Sequence, residues 1–227
     1  MPWFFKLDRR WQELAVLVTL MLLTTPVFWL TAWDEKAAAW FFEPNSTAGN
    51  WPHQQWWLWQ LLYQYAFSFI ILAGAVALVI TGLSVKVEFL KAYRRPALYI
   101  VWVLVLGPGL VINLVFKDHW GRPRPVHMQT FGGQHSYVPP LKLGGTGEKS
   151  FPCGHCSVGY AFFVFYFLSR KRKFWLLCLT LAVAFTLAAA RMSAGGHFVS
   201  DVLWSGYLVF FTAWLVYYGW YERDIKH

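Results

Sequence analysis

Charged side chains are scarce in this sequence of 227 residues, and this scarcity excludes an ordinary soluble domain. Asp, Glu, Lys and Arg make up 14% of the residues, whereas 57% are hydrophobic. A soluble domain carries about 25% charged residues. Cysteine is also rare, since three residues cannot build the dense disulfide framework of a small secreted scaffold. The composition therefore predicts a membrane protein.

Carboxylates are the second shortage, with 11 Asp and Glu against 20 Lys and Arg. None of them form a cluster with the spacing of metal ligands, so we predict no metal centre and no cofactor. The net charge of +9 is compatible with a nucleic-acid partner. The distribution of the basic residues fits membrane topology and an anion site instead, so we predict no nucleic-acid partner.

Long apolar runs predict an all-α, polytopic membrane protein that forms one domain over residues 1–227. Each run is long enough, or nearly so, to cross about 30 Å of hydrocarbon. The first is too long for a signal peptide and lacks a clear cleavage site, so we predict an uncleaved span. The six predicted transmembrane helices are 13–33, 57–83, 96–116, 155–169, 174–190 and 199–219.

The basic residues orient these six spans. In the six-span arrangement, 13 of the 20 Lys and Arg fall on one side, which predicts that both termini are cytoplasmic. The other seven lie on the opposite side, here called the far face: Lys36, Lys117, Arg122, Arg124, Lys142, Lys149 and Arg191. Five tryptophans of the far-face segment 34–59 are expected to form an interfacial belt: Trp40, Trp51, Trp56, Trp57 and Trp59.

Three polar motifs converge on the far face. They are Lys117-x6-Arg124-Pro125, Pro152-x-Gly154-His155 and Arg191-x5-His197-x3-Asp201. Taken singly, the cations could extend to lipid headgroups and the glycines could mark helix ends. Taken together, three segments bring cations and imidazoles to one edge of a membrane, where unpaired charge is costly. The convergence predicts a functional site.

Phosphoryl transfer is the chemistry that this set of residues suits. Lys117, Arg124 and Arg191 can neutralise a phosphate, and Gly154 lets the backbone approach it. A neutral His197 can attack phosphorus if the Asp201 carboxylate holds its other ring nitrogen. A second imidazole can then protonate the leaving oxygen. His155 is the candidate for that acid.

The three motifs, in this order, resemble the signatures of the type-2 phosphatidic acid phosphatases, also called lipid phosphate phosphatases, which share their site with vanadium haloperoxidases. The resemblance covers residues 117–201, and the six-span layout extends it to the whole chain. It implies a metal-independent phosphatase with a six-helix core. His197 would form a phosphohistidine, Asp201 would orient it and His155 would be the general acid. The phosphate would be held by Lys117, Arg124, Arg191 and the backbone of Gly154.

Cys153 stands where this family usually has Ser, and Ala190 precedes Arg191 where Ser is usual. Cys153 is expected to face the phosphate, where a thiol donates a poorer hydrogen bond than a hydroxyl. The stretch Cys153-Gly154-His155-Cys156 also has the spacing of a thiol oxidoreductase site. No βαβ scaffold or second cysteine pair accompanies it, which argues against that function. We hypothesise instead that Cys153 and Cys156 form a disulfide that distorts the phosphate pocket.

A membrane-embedded lipid phosphate is the expected substrate, because the fourth predicted span is short and places His155 near the interface. The segment from Lys117 to Pro125, followed by Phe131-Gly-Gly, resembles bacterial members that act on lipid A phosphates. In that comparison Arg122 would be a fourth cation for a crowded headgroup. Undecaprenyl diphosphate, phosphatidylglycerophosphate and phosphatidic acid remain open as substrates.

The resemblance implies a bacterial inner-membrane enzyme whose site faces the periplasm. Two alternatives remain at this point. One is a transporter of anionic lipids that binds phosphate without hydrolysis. The other is a phosphotransferase that replaces water with a second lipid. No feature of the sequence predicts an oligomeric state.

Overall fold

A computed structural model describes residues 7–169 and 171–223, and the described chain is a helical bundle with connecting loops. The all-α prediction is confirmed. The helices are α1 (Arg9–Leu30), α2 (Trp33–Ala39), α3 (Trp57–Leu83), α4 (Lys91–Leu104, continued by a π-helical segment Val105–Lys117), α5 (Gly154–Tyr160), α6 (Phe163–Leu168), α7 (Lys173–Ser193) and α8 (Val199–Val216, continued by a π-helical segment Tyr217–Tyr221). Short 3₁₀ turns cover Pro52–Gln55, Glu88–Leu90, Pro125–His127 and Gln129–Phe131.

Five helical segments within the described residues are long and apolar enough to cross a membrane. They correspond to five of the six predicted spans: Arg9–Leu30, Trp57–Leu83, Glu88–Lys117, Lys173–Ser193 and Val199–Tyr221. The third of these widens into its π-helical part near Pro108, which cannot donate a backbone hydrogen bond. The side-chain amide of Asn113 donates to the carbonyl of Pro108 at 2.6 Å and stabilises this irregular turn.

The remaining predicted span, 155–169, differs from the other five. It comprises α5 and α6, with a break at Ala161 and Phe162, and Gly154–Leu168 is shorter than a typical span. Every residue of α5 is buried, because α3, α4, α7 and α8 pack around it. A Cβ at Gly159 would lie 2.5 Å from the Ala184 Cα, so glycine permits this close packing. The number of membrane crossings therefore stays a prediction for this segment.

The far-face loops and α2 cover the end of the bundle where α4 ends and α5 and α8 begin. Trp51, expected in an interfacial belt, is instead buried and packs 5.5 Å from the rings of Phe42 and Phe131. Trp40, Trp56 and Trp57 are exposed, as a belt requires. One tryptophan of the predicted belt therefore contributes to the fold of the loop layer.

Candidate active site

Main-chain hydrogen bonds join the three polar motifs. The N–H of Val126, next to the first motif, donates to the carbonyl of Gly195 in the third motif at 3.0 Å. The N–H of Cys153 in the second motif donates to the carbonyl of Asp201 in the third at 3.2 Å. The convergence that the sequence predicted is therefore present, and backbone groups hold it.

The cations and imidazoles of the motifs lie within electrostatic range of one another. The charges of Arg124 and Arg191 act on Lys117, and the charges of Arg191 and Lys117 act on both His155 and His197. Three buried nitrogens in this set have no hydrogen-bond partner: Nε of Arg124, Nε of Arg191 and Nδ1 of His155. Buried polar groups normally have hydrogen-bond partners. A site with several cations and unpaired N–H groups suits an anion such as a phosphate.

Two glycines allow the cations to lie against the backbone. A Cβ on Gly154 would lie 2.8 Å from Nζ of Lys117, and a Cβ on Gly196 would lie 2.5 Å from Nη2 of Arg191. Both distances are shorter than non-bonded atoms tolerate, so a larger residue would displace the cation. Gly154 thus makes room for Lys117, Gly196 makes room for Arg191 beside His197, and the contact of the Gly154 backbone with phosphate stays a prediction.

His197 is 1% exposed and has a defined proton position. Its Nδ1 lies 2.7 Å from the carbonyl oxygen of Ser150 and 3.6 Å from Oδ2 of Asp201. Because a carbonyl can only accept, Nδ1 carries the proton and Nε2 keeps a free lone pair. Burial lowers the pKa of His197 to about 4, although the Asp201 carboxylate acts to raise it. The imidazole is therefore neutral at pH 7, as a nucleophile requires.

Asp201 orients this imidazole in a less direct way than the sequence suggested. Its Oδ2 accepts hydrogen bonds from the Ser150 hydroxyl at 2.6 Å and from the N–H of Phe198 at 2.8 Å. The Ser150 carbonyl in turn accepts from His197. The carboxylate therefore fixes Ser150 and the start of α8, and these fix the ring. Ser150 was not predicted, because a lone serine two residues before Pro152 has no recognisable signal.

His155, the candidate acid, lies on the first turn of α5 against α3. Its Nε2 is 3.2 Å from the carbonyl oxygen of Tyr63, and its ring stacks on the Tyr63 ring at 4.6 Å. The Phe67 ring contacts it edge-on at 4.8 Å. Because the Tyr63 carbonyl accepts from Nε2, the unpartnered Nδ1 is the ring nitrogen left to exchange a proton if His155 is the acid. The guanidinium of Arg191 also lies over the Tyr63 ring, at 4.6 Å.

Arg122 is not placed as the fourth substrate cation that the sequence suggested. It is fully buried, and it forms ion pairs with Asp34 at 2.9 Å and with Asp201. Its Nε donates to the carbonyl of Val138 at 2.7 Å, and Nη1 donates to the Ser200 hydroxyl at 2.8 Å. With its donors bound inside the protein, Arg122 has no free group for a phosphate. Asp34 was not anticipated as part of the site.

Cys153 also differs from its expected role. Its sulfur is bonded to that of Cys156 in a disulfide, and both residues are fully buried. The Cys153 sulfur caps α5 by accepting a hydrogen bond from the N–H of Cys156 at 3.2 Å. A disulfide sulfur has no hydrogen to donate, so in this state Cys153 cannot replace a serine hydroxyl at the phosphate.

An apolar cleft of about 390 Å³ lies between α3, α5 and α7. Val158 is one helical turn from His155 on α5, and Leu187 is one turn from Arg191 on α7. The other lining residues are Leu61, Leu62, Tyr65, Ala66, Phe69, Phe162, Val183 and Thr186. Two of the residues that line the cleft therefore lie one helical turn from residues of the cationic site, and the rest line the apolar parts of the helices.

Within the described ranges 7–169 and 171–223, no group of three or more His, Cys, Asp or Glu side chains is arranged to hold a metal ion.

The three motifs lie in a region that matches a known protein family. Residues 96–225, more than half of the chain, match the PAP2 superfamily model, and all three motifs lie inside this range. The chain belongs to the PAP2 superfamily. This assignment confirms the family resemblance seen in the sequence and accounts for the order of the three motifs in this PAP2 chain.

Two relatives of this PAP2 chain are named lipid A 4'-phosphatase. That of Francisella tularensis subsp. novicida (strain U112) is 41% identical over 140 residues, which is 60% of this chain and 63% of the relative. That of Rhizobium etli is 37% identical over 117 residues, 49% of this chain and 46% of the relative. The chain thus covers less than two thirds of the length of each. No solved structure matches it significantly.

Proposed function

We propose that this PAP2 protein is a phosphatase that removes phosphate from a membrane lipid. One observation carries the proposal: a buried, neutral imidazole with a free Nε2 lies within electrostatic range of Lys117 and Arg191, and an apolar cleft is lined by Leu187, one helical turn from Arg191. The cations suit the phosphate, and the cleft suits the hydrocarbon chain attached to it. Five helices are long and apolar enough to cross a membrane, which is where a lipid substrate is found.

The geometry supports a two-step reaction. Nε2 of His197 attacks phosphorus, the bond from phosphorus to the lipid oxygen breaks, and Nδ1 of a protonated His155 gives its proton to that oxygen. Water then attacks the phosphohistidine, His155 takes a proton from it, and inorganic phosphate leaves. Lys117, Arg124 and Arg191 stabilise the charge on the phosphoryl oxygens throughout.

Lipid A is the first substrate to test, because the relatives compared above carry that name and the segment 117–133 resembles such enzymes. Undecaprenyl diphosphate, phosphatidylglycerophosphate and phosphatidic acid belong in the same panel. We further propose six membrane crossings with cytoplasmic termini, a bacterial inner-membrane location and a periplasmic site. The basic loops support this orientation, since in the six-span arrangement they lie opposite the site.

The decisive experiment measures phosphate release by the purified protein in EDTA, with wild type beside His197→Ala. We expect release by wild type and a fall to background in the variant, because losing a nucleophile costs up to about 10⁶-fold. Trapping of a phosphorylated protein that requires His197 would establish the intermediate. Lipid binding without release by the well-folded wild type would contradict the proposal and favour the transporter.

The cleft can be tested separately with Leu187→Trp, which would fill it next to the site. We expect slower turnover of long-chain lipid phosphates and little change for a short-chain phosphate ester. Leu179→Trp is the matched control, because Leu179 is 48% exposed on the same helix and lies outside the cleft. Equal losses on both substrates, or from both variants, would mean that the cleft does not hold the lipid chain.

A further inference from the structure

A buried group of charged and hydroxyl side chains lies behind His197, and its residues come from α2, α8 and the loops between α4 and α5. We name it the aspartate clamp. Its members are Asp34, Arg122, Tyr137, Ser200 and Asp201. We propose that Asp34 is a positioning residue for the reaction: it holds Arg122 and Ser200 against Asp201 and keeps a net negative charge beside His197. The inference rests on the function proposed above.

Asp34 is 1% exposed, and both of its oxygens are engaged. Oδ1 accepts from the N–H of Ser200 at 3.0 Å, and Oδ2 accepts from Nη2 of Arg122 and the Tyr137 hydroxyl, each at 2.9 Å. The Ser200 hydroxyl also donates to Oδ2. Ser200 lies in the first turn of α8, next to Asp201. Asp34 therefore connects α2 to the start of the helix that carries the catalytic carboxylate.

Arg122 shares one guanidinium between the two carboxylates, through Nη2 to Asp34 and Nη1 to Asp201. The ring of Phe198 lies 4.7 Å from its central carbon and closes the group from solvent. Such a buried, fully hydrogen-bonded network fixes its members in one arrangement. The position of Asp201, and through Ser150 that of His197, is thus set by contacts that reach to α2.

The charge of the clamp is the second part of the inference. One guanidinium against two carboxylates leaves a net charge of −1 where neither acid is solvated. Excess buried charge is costly, and a fold that only needed to bury an arginine would require one carboxylate. The phosphohistidine ring, protonated on Nδ1, becomes positive when Nε2 bonds to phosphorus. A net negative clamp stabilises that charge, whereas a balanced ion pair would not.

The first variant is Asp34→Asn, which keeps the shape of the side chain and brings the clamp to zero net charge. We expect kcat to fall about 10–100-fold, by analogy with the loss of residues that orient metal ligands, with little change in KM. Glu35→Gln is the matched control, because it removes the same charge from the next residue of α2, outside the clamp. We expect that control to behave like wild type.

The pH dependence of kcat/KM shows whether Asp34 positions His197 or only stabilises the fold. His197 faces Asp201, Arg191, Lys117 and His155, and none of these changes in the variant. Removing a negative charge makes the imidazole harder to protonate, so the acid limb of kcat/KM should move to lower pH. A thermally weaker protein with an unmoved acid limb would show that Asp34 is only structural and would overturn the inference.

A double variant, Asp34→Asn with Arg122→Gln, tests charge against contact. Asp34→Asn alone leaves one cation and one carboxylate in the clamp, so the net charge of the clamp is zero. The double variant leaves only the carboxylate of Asp201, so the net charge is again −1. We expect the acid limb to return towards its wild-type position in the double variant. If Asp34→Asn does not fold, the double variant is compared with Arg122→Gln alone. Arg122→Gln changes the net charge of the clamp from its wild-type value, whereas the double variant keeps that value.

NMR titration of the His197 ring, in wild type and in Asp34→Asn, tests the inference without a measurement of turnover. An acid shift of the titration in Asp34→Asn supports it, and superimposed titrations overturn it. This separates the two proposals. Failure of wild type to release phosphate would contradict the proposed function, while superimposed titrations would contradict the role of Asp34 even in an active enzyme.

Discussion

Arg122 and Arg124 are two residues apart in the same motif and have opposite surroundings. Arg122 is fully buried, and two carboxylates, two hydroxyls and a carbonyl accept its hydrogen bonds. Arg124 is only partly buried, and its Nε has no partner. An arginine with satisfied donors maintains the fold, while one with unpaired donors beside other cations is available to an anion. Hydrogen-bond satisfaction therefore separates scaffold from binding site where residue type does not.

The largest expected effect is on stability, from Arg122→Ala. This change leaves Asp34 and Asp201 buried without a countercharge. We expect the free energy of unfolding to fall by about 3–5 kcal/mol, as is typical when one partner of a buried ion pair is removed. Thermal unfolding in detergent measures it, with Arg124→Ala as the control that should unfold near the wild-type temperature. Equal melting temperatures for the two variants would break the comparison between the arginines.

Arg124→Ala should instead lower turnover in a folded protein. Losing one donor to the charged oxygens of a transition state costs about 10²–10³-fold in rate. Arg124→Lys should recover part of the loss, because it restores the charge without the paired N–H geometry. Phosphate release by folded Arg124→Ala at the wild-type rate would show that this arginine does not contact the substrate.

The third prediction concerns pH. Because burial lowers the pKa of His197 to about 4, its nucleophilic form persists as pH falls and is lost only when pH drops through that value. The acid limb of kcat/KM that depends on His197 should therefore lie well below 6.5, the pKa of an exposed histidine. Phosphate release measured across this range checks the prediction, and NMR identifies the group. A His197 titration near 6.5 would contradict it.

A smaller effect is expected from Gly154→Ala, which tests how tightly the cations are placed. The added Cβ would lie 2.8 Å from Nζ of Lys117 and would push the ammonium aside. Misplacement of a catalytic group by about 1 Å can cost up to 10²-fold, and we expect a loss within that limit. Gly82→Ala in α3 is the control, because its Cβ would meet nothing within 4 Å. Equal rates for the two variants would mean that Lys117 is free to move.

The smallest expected effect is from the disulfide. Reductant should alter the rate of wild type modestly, since opening the bond frees the Cys153 sulfur and relaxes the first turn of α5. Cys156→Ser should not respond to reductant. Phosphate release that is the same in all four combinations would refute the hypothesis that this disulfide distorts the pocket.

The sequence predicts much of the site, because its residues lie in motifs with fixed spacing. Lys117, Arg124, Arg191, His155 and His197 come together as expected. Their charges and their positions beside apolar runs can be recognised in the amino-acid sequence alone. The apolar runs likewise locate the five long helices.

The parts that were missed depend on contacts between distant segments. Asp34 and Asp201 are 167 positions apart and share Arg122 only after folding. Ser150 acts through its backbone carbonyl, which every residue has. The assignment of Arg122 to the substrate was wrong in this structure, because sequence reports a charge and not its partners.

The main-chain hydrogen bonds between the motifs have a consequence for engineering. The bonds from Val126 to Gly195 and from Cys153 to Asp201 use only backbone atoms, so they do not depend on which side chains line the pocket. The cations can therefore be exchanged while the three segments stay in register. We expect this framework to accept redesigned linings for oxyanions of other sizes, provided that Asp34 and Arg122 are left in place.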